Sequence, residues 1–228
     1  YNEGENVIKV FDHLKNNVQN KFVLLLCYDD ESDDLFSNLE ILKNKKVDFK
    51  LIKNKYHGPC GAVKTGLLYS DSDIKIVYPA DDLINGKIID KMIEKYDEGY
   101  DIVAPSRFMK GGSMKNCPII KSILVRLASF TLFRLSSIPI EDASNGFRLF
   151  SSKVVNKFEI ESKLGFAYSL ELLVKAHRHR FNITQIPSSW EEREIGKSNF
   201  KILKWLKEYL RWYMYGLSTN WFFKKIKK

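Results

Sequence analysis

Four short runs rich in leucine, β-branched and aromatic residues constrain what this chain can fold into: Phe22–Tyr28 (FVLLLCY), Val47–Ile52 (VDFKLI), Ile74–Tyr78 (IKIVY) and Asp101–Pro105 (DIVAP). Short, almost continuously apolar runs are what parallel strands buried on both faces require. Between them lie Asp34–Lys45, Gly61–Ser70 and Gly86–Glu98, each long enough for a helix. This βαβα alternation predicts an α/β fold, a mostly parallel twisted sheet flanked by helices, with ligands bound at the carboxyl ends of its strands. Acidic clusters stand at those ends, Asp29 and Asp30 after the first run and Asp81 and Asp82 after the third, in YPADDL (Tyr78–Leu83). Loop aspartates also form turns and cap helices; their shared place at strand ends favours binding.

A chain of 228 residues, 44% hydrophobic and with only 12 Gly and 6 Pro, can bury one sizeable core and is not a disordered segment. Cys27, Cys60 and Cys117 lie far apart without a C-x-x-C pair, which argues against a disulfide framework or zinc site and fits a reducing, cytoplasmic compartment. No signal peptide is visible, and a start at Tyr1 rather than Met reads as a fragment or a trimmed form. Of the net charge of +9, all but about +1 lies in Lys197–Lys228, where nine basic residues face one acid, Glu208. A nucleic-acid-binding domain more often carries its charge on the folded body. A basic tail interleaved with Trp205, Trp212, Tyr213, Tyr215, Trp221 and Phe222 fits an anionic membrane surface instead. The alternative is a docking helix with a solvated lysine face.

Pro118–Pro139 is apolar but broken by Lys121, Arg126 and Arg134. A membrane-spanning helix needs about 20 mostly apolar residues, so an interfacial, amphipathic helix within residues 117–140 is expected. Gly165–Arg180 reads as a helix, Phe181–Trp190 as a strand, and Glu191–Asn199 as a polar loop suited to a mobile flap. In Phe200–Leu217 the pattern predicts a helix with Lys201, Lys204, Lys207, Glu208 and Arg211 opposite Ile202, Leu203, Leu206, Leu210 and Met214, within a basic aromatic segment, 199–228. His177 and His179, two residues apart on a helix, share no face, so a basic surface with Arg178 and Arg180 is expected there rather than a metal site.

Six stretches in order resemble glycosyltransferase family 2, of GT-A (Rossmann-like) fold, in its dolichyl-phosphate mannose synthase and bactoprenol glycosyltransferase branch. Tyr1-Asn2-Glu3 is similar to the Y-N-E ending the family's first strand, so that strand is expected to be missing from this chain. DDESDD (Asp29–Asp34) resembles D-D-G-S-x-D with Glu31 in place of Gly, and GPCGAVKTGL (Gly58–Leu67) the Gly-rich helix start. APSRFMKGG (Ala104–Gly112), EDASNGFRLF (Glu141–Phe150) and WEEREIGKSNF (Trp190–Phe200) resemble the later motifs. One GT-A domain over residues 1–198 is thereby expected.

The resemblance implies inverting transfer of a sugar from a UDP- or GDP-linked donor to a polyprenyl (dolichyl or undecaprenyl) phosphate. It implies a peripheral or juxtamembrane place on the cytoplasmic face of a membrane and a part in cell-envelope polysaccharide synthesis, with nucleic acid not a partner and a homo-oligomer or transmembrane partner left open. The diphosphate leaving group calls for a divalent cation, Mg²⁺ or Mn²⁺, on carboxylate oxygens. The family's D-x-D turn falls on Pro79-Ala80-Asp81, so Asp81 is the expected metal, donor-binding and catalytic carboxylate, with the metal weakly held and Asp82 in reserve. A helix cap near Asn85 is the other role open to Asp81. Glu3 and Asp30 are the implied nucleoside contacts, and Arg193 and Lys197 the groups closing over the diphosphate. Ser106, Arg107 and Lys121 are assigned to the acceptor phosphate, with Arg107 and Asp142 counted as catalytic. Asp142 orients the acceptor oxygen and need not be a strong base, because a phosphate is already anionic. Arg148 is expected to tie the Gly146–Phe147 turn to an acid, and Tyr168, Glu171 and Trp190 to line a pocket or the core. Two rivals stand: a family 2 enzyme with a soluble or polysaccharide acceptor, and a non-catalytic membrane-binding module on a degenerate GT-A fold, suggested by Pro79 and Glu31.

Overall fold

The computed structural model describes residues 4–45, 47–191 and 202–226. The expected strands are present as β1 (Leu24–Tyr28), β2 (Phe49–Lys53), β3 (Ile74–Val77) and β4 (Ile102–Ser106). The intervening helices are α2 (Leu39–Asn44), α3 (Gly58–Tyr69) and α4 (Ile89–Asp97), with short 3₁₀ turns leading into α2 and α4. An unanticipated helix, α1 (Gly4–Asn17), precedes them and buries Val7, Val10, Phe11 and Leu14, a three- to four-residue spacing that puts all of them on one face.

Among the described residues β1 and β2 form a parallel pair, while β3, β6 (Arg148–Ser151), β4 and β7 (Ile183–Pro187) form a four-stranded sheet in that order. The expected strand Phe181–Trp190 is divided: β7 joins this sheet, and β8 (Ser189–Glu191) pairs in parallel with β5 (Ser113–Lys115). Pairing is parallel except at β6, which runs antiparallel to both neighbours. That exception fixes the geometry of everything that follows. Because β3 and β4 both oppose β6 and β7 runs with β4, the ends of β3, β4 and β7 and the start of β6 share one edge. Every residue of β4 is buried, as its apolar run requires.

Beside this sheet α8 (Ile202–Ile226) packs against both α5 (Ile119–Ser136) and α7 (Ala167–Arg178), and α6 (Ser152–Lys157) follows β6. From Ala167 to Ala176 every residue of α7 is buried. Tyr168 and Glu171 therefore belong to the core: Tyr168 donates to the Gly146 carbonyl, and Glu171 accepts from the Glu161 and Ser162 amides and pairs with Lys175 at 2.6 Å.

α8 presents a different face from the one its pattern predicts. Leu206, Leu210 and Met214 point outward, while Trp212 is buried and donates from Nε1 to Ser162 Oγ at 2.8 Å. Gly216 lies where an added Cβ would come within 2.9 Å of Leu132 on α5 and of Val174 on α7, so the three helices approach closely there. Tyr213 and Thr131 share a hydrogen bond of 2.7 Å between α8 and α5. The end of α7 is consequently no free basic surface. Arg178 lies over the Tyr215 ring at 3.4 Å, and His177 Nε2 donates to the Ser136 carbonyl, its pKa lowered by burial despite that bond.

Candidate functional site

The shared edge gathers the acidic turn after β3, the Ser106–Gly112 turn after β4, the Ser188–Ser189 corner after β7 and the Asp142–Gly146 turn before β6. In the first of these, Asp82 is consumed by local structure. Its Oδ1 accepts from the Ile84 and Asn85 amides at 2.8 Å each, and its Oδ2 from Asn85 Nδ2 at 2.6 Å. Both Asp82 oxygens are thus engaged within the turn. Asp81, beside it, is exposed at the edge. Asn85 and Ile88, at the starts of the 3₁₀ turn and α4, make no side-chain cap hydrogen bond of their own, and it is Asp82 that accepts the Asn85 amide. Tyr78 braces the turn, donating to the Asp82 carbonyl and packing edge-on against Phe147 at 5.0 Å.

Asn85 is a site residue that sequence reasoning missed. Buried, it donates through Nδ2 to the Ser189 carbonyl at 2.7 Å and accepts the Ser189 amide on Oδ1 at 3.1 Å, so one side chain pairs like a strand with the start of β8. Ser188 in turn bonds through its backbone to Ser106 and Ser113. The acidic turn is thus linked to the Arg107 turn through two residues. The only sequence signal was the turn-forming Asn85-Gly86 pair, which says nothing of a partner more than a hundred residues away.

Arg107 and Asp142 form the most constrained pair of the site. Arg107 Nε meets Asp142 Oδ2 at 2.7 Å and Nη2 meets Oδ1 at 3.0 Å, a two-point contact, and the Arg107 amide donates to Oδ2 as well. Ser144 closes the set, its amide and hydroxyl on Asp142 Oδ1 and its Oγ accepting from Arg107 Nη2. Complete burial opposes the Asp142 charge, but the Arg107 charge and these hydrogen bonds outweigh it and hold the carboxyl below its ordinary range. Asp142 therefore does not reach an acceptor oxygen; both of its oxygens are spent and it positions Arg107. The Arg107 edge bearing Nη1 makes no hydrogen bond among the described residues.

The remaining expectations divide. Ser106 is fully buried, its Oγ facing the Phe108 and Met109 amides at 3.4 and 3.3 Å, so it shapes the turn rather than meeting an acceptor. Arg148 is also fully buried and reaches carbonyls rather than an acid, donating to Ser169 at 2.7 Å and Asp142 at 3.4 Å; burial pushes its pKa down to about 10. Asp30 is exposed after β1 and accepts from the Ser32 amide, which holds its pKa low. Its neighbour Asp29, given no role above, accepts from Asn54 and from the Gly58 amide and so shapes the start of α3. Glu3, Arg193 and Lys197 lie outside the described residues, and for Lys121 only its place in the first turn of α5 is described.

The exposed Asp81 carboxylate at this edge would suit a cation completed by substrate oxygens. Mg²⁺ in particular is commonly held by one or two carboxylates plus phosphate oxygens rather than by an all-protein cage. Among the described residues no cluster of three His, Cys, Asp or Glu side chains could hold a metal unaided. The donor set at this edge therefore fits a cation that arrives with a phosphorylated ligand.

The family model for glycosyl transferase family 2 matches residues 1–158. The chain belongs to that family. It is 27% identical over 216 residues to a dolichol-phosphate mannosyltransferase of Pyrococcus furiosus, covering 92% of this chain and 60% of the relative. It is 26% identical over 182 residues to a dolichyl-phosphate hexose transferase of Haloferax volcanii, covering 73% and 76%. The chain thus spans about 60% of the length of the Pyrococcus protein. Among solved structures it is similar in fold to glucosyl-3-phosphoglycerate synthase of Mycobacterium tuberculosis with bound UDP, at a TM-score of 0.68 and 12% identity over 95% of this chain and 77% of that one. Another structure of that enzyme, holding Mn²⁺, UDP and glucosyl-3-phosphoglycerate, aligns at 0.65. These likenesses establish the GT-A fold.

Proposed function

We propose that this family 2 chain transfers a sugar from a UDP- or GDP-linked donor to a polyprenyl phosphate, with inversion, at the cytoplasmic face of an anionic membrane. The observation that carries the reading is the meeting, at one sheet edge, of an exposed Asp81 with an Arg107 whose guanidinium is locked on one side by Asp142 and open on the other. Asp81 would hold Mg²⁺ or Mn²⁺ together with the donor phosphates, and the cation would supply charge stabilisation for the leaving diphosphate. Arg107 orients an anionic acceptor, and Asp142 fixes Arg107 in advance, so that less side-chain freedom is lost on binding. Asp30, and Glu3, Arg193 and Lys197 outside the described residues, remain the proposed donor contacts.

The lipid acceptor is supported by the names of the relatives and by two packed helices that expose aliphatic side chains. Ile119, Ile123, Leu124 and Leu127 on α5 and Leu206, Leu210 and Met214 on α8 are all exposed, more than scattered surface hydrophobics require. Arg126 and Arg134 on α5 and Lys207 and Arg211 on α8 are exposed on the same helices, suiting an anionic headgroup layer. No helix of the described residues is long and apolar enough to cross a membrane, so contact by these faces is the proposed mode.

Removing 199–228 would uncover the core around Trp212, so point variants give the cleaner test. Leu127→Glu with Met214→Glu is expected to reduce partition onto phosphatidylglycerol vesicles about 10-fold or more in co-sedimentation, with the urea midpoint unchanged because both side chains are exposed. Unchanged partition at low salt would sink the membrane part of the reading.

A further inference from the structure

We propose that His13, on α1, is a positioning residue for the cation: it anchors the turn that carries Asp81 and so sets how tightly that turn holds a metal with the donor diphosphate; this rests on the cation role proposed for Asp81 above. The contact is made where only a glycine leaves room. His13 Nε2 accepts the Gly86 amide at 3.0 Å, and a Cβ added at Gly86 would come within 2.7 Å of that nitrogen and 2.8 Å of the ring Cδ2, so a larger residue there would push the ring away. A backbone amide can only donate, so Nε2 is the unprotonated nitrogen and the ring proton lies on Nδ1, beside the Asn17 side chain at 3.3 Å. Asn17 Nδ2 also donates to the His13 carbonyl at 2.8 Å and tightens the end of α1 around it.

The acidic turn is held from two sides at adjacent residues. Asn85 pairs with Ser189 at the start of β8, and Gly86 with His13 on α1. Neighbouring residues of the helix, Val10 and Leu14, join Ile89 and Met92 of α4 in one apolar cluster, so a packed helix presents the imidazole to the turn. The same helix reaches the other end of the proposed donor site. Its first residue, Gly4, donates its amide to Asp34 Oδ1 at 2.8 Å in the acidic stretch after β1, and a Cβ there would come within 2.8 Å of the Asp34 carbonyl oxygen. Nine helical steps, about 13 Å, separate Gly4 from His13. α1 is thus a strut between Asp29–Asp34 and the Asp81 turn, meeting each at a glycine. Those two segments are the proposed nucleoside and diphosphate ends of the donor, and a strut of fixed length sets the distance between them before the donor arrives.

The test compares the Mn²⁺ concentration for half-maximal transfer, the donor and acceptor KM values and the urea midpoint in variants at both ends of the contact. His13→Leu keeps a side chain of similar bulk and removes the acceptor. It is expected to raise the Mn²⁺ requirement and donor KM about 5-fold, the scale of one lost hydrogen bond, with acceptor KM unchanged. His13→Gln, which offers an acceptor oxygen at similar reach, should bring both back toward wild type. Gly86→Ala displaces the ring and should raise the Mn²⁺ requirement by itself, yet add little on top of His13→Ala, because the two changes break one contact. If His13→Leu and Gly86→Ala both match wild type while Asp81→Asn loses transfer, the role of His13 is overturned and that of Asp81 stands. Equal changes in donor and acceptor KM with a lowered urea midpoint, and no recovery by His13→Gln, would mark a residue that serves the fold alone and also overturn it. Transfer that ignores Mn²⁺ in the wild type, or persists in Asp81→Asn, would bring down both.

Discussion

Asp81→Asn is expected to lower sugar transfer about 10²- to 10³-fold while leaving the unfolding midpoint within about 0.5 kcal/mol of wild type. The asymmetry follows from its surroundings. Asp81 is exposed, whereas its neighbour Asp82 supplies the bonds that hold the turn. Asp81→Asn would therefore remove the proposed cation ligand while the Asp82 bonds that hold the turn stay in place. Calorimetric titration with UDP and GDP, with and without Mn²⁺, gives the matching binding signature: metal-dependent affinity for one nucleotide in the wild type and its loss in the variant. A scaffold on a degenerate fold would bind neither nucleotide. Asp82→Asn should show the opposite profile, a fall in stability larger than the change in metal dependence. Near-normal turnover by purified Asp81→Asn would remove the metal role from this turn.

Asp142→Asn is expected to destabilise the fold by about 3–5 kcal/mol, because it leaves the largely buried Arg107 guanidinium without its counter-charge. Urea denaturation checks the size, and a change below about 1 kcal/mol would contradict the assignment. The pH dependence supplies a second reading. The folded-state pKa of Asp142 lies below its unfolded value, so its contribution is complete above the ordinary carboxylate range and is lost as pH falls through the depressed folded value. Wild type should therefore lose stability in acid more steeply than Asp142→Asn. Replacing both partners by apolar residues of similar volume, Asp142→Leu with Arg107→Met, should restore much of the stability, since two buried charges are removed together. Transfer should not return with it, because Arg107 is also the proposed acceptor ligand.

Strand positions were legible because each apolar run had one solution. LLLCY and IVAPS are too short for helices and too apolar for loops, and both are strands. Direction was not legible: Arg148–Ser151 carries no mark of running against its neighbours, yet that reversal brings Asp142 to the same edge as Asp81. Helix α8 shows a second limit. Ile202, Leu206, Leu210 and Met214 recur at four-residue steps, but Trp205, Tyr209, Trp212 and Gly216 recur at steps of four, three and four, and periodicity alone cannot say which stripe turns inward. The aromatic stripe does, because Trp212 buries more surface and its Nε1 finds Ser162. At the site, motif position put Asp81 and Arg107 forward, and the structure places both at the shared edge. The local bonding that sets Asp82 apart from Asp81 and joins Arg107 to Asp142 was not legible. It depends on hydrogen bonds across 35 residues for the second pair and on turn geometry for the first.

Sugar transfer itself is the most direct measurement: the purified chain with Mn²⁺, labelled UDP- and GDP-sugars, and polyprenyl phosphate in anionic vesicles. The expected result is a lipid-linked sugar of inverted anomeric configuration, formed from one nucleotide class and lost in Asp81→Asn. Product on soluble acceptors alone, or no product from any donor while the chain remains folded, would contradict it.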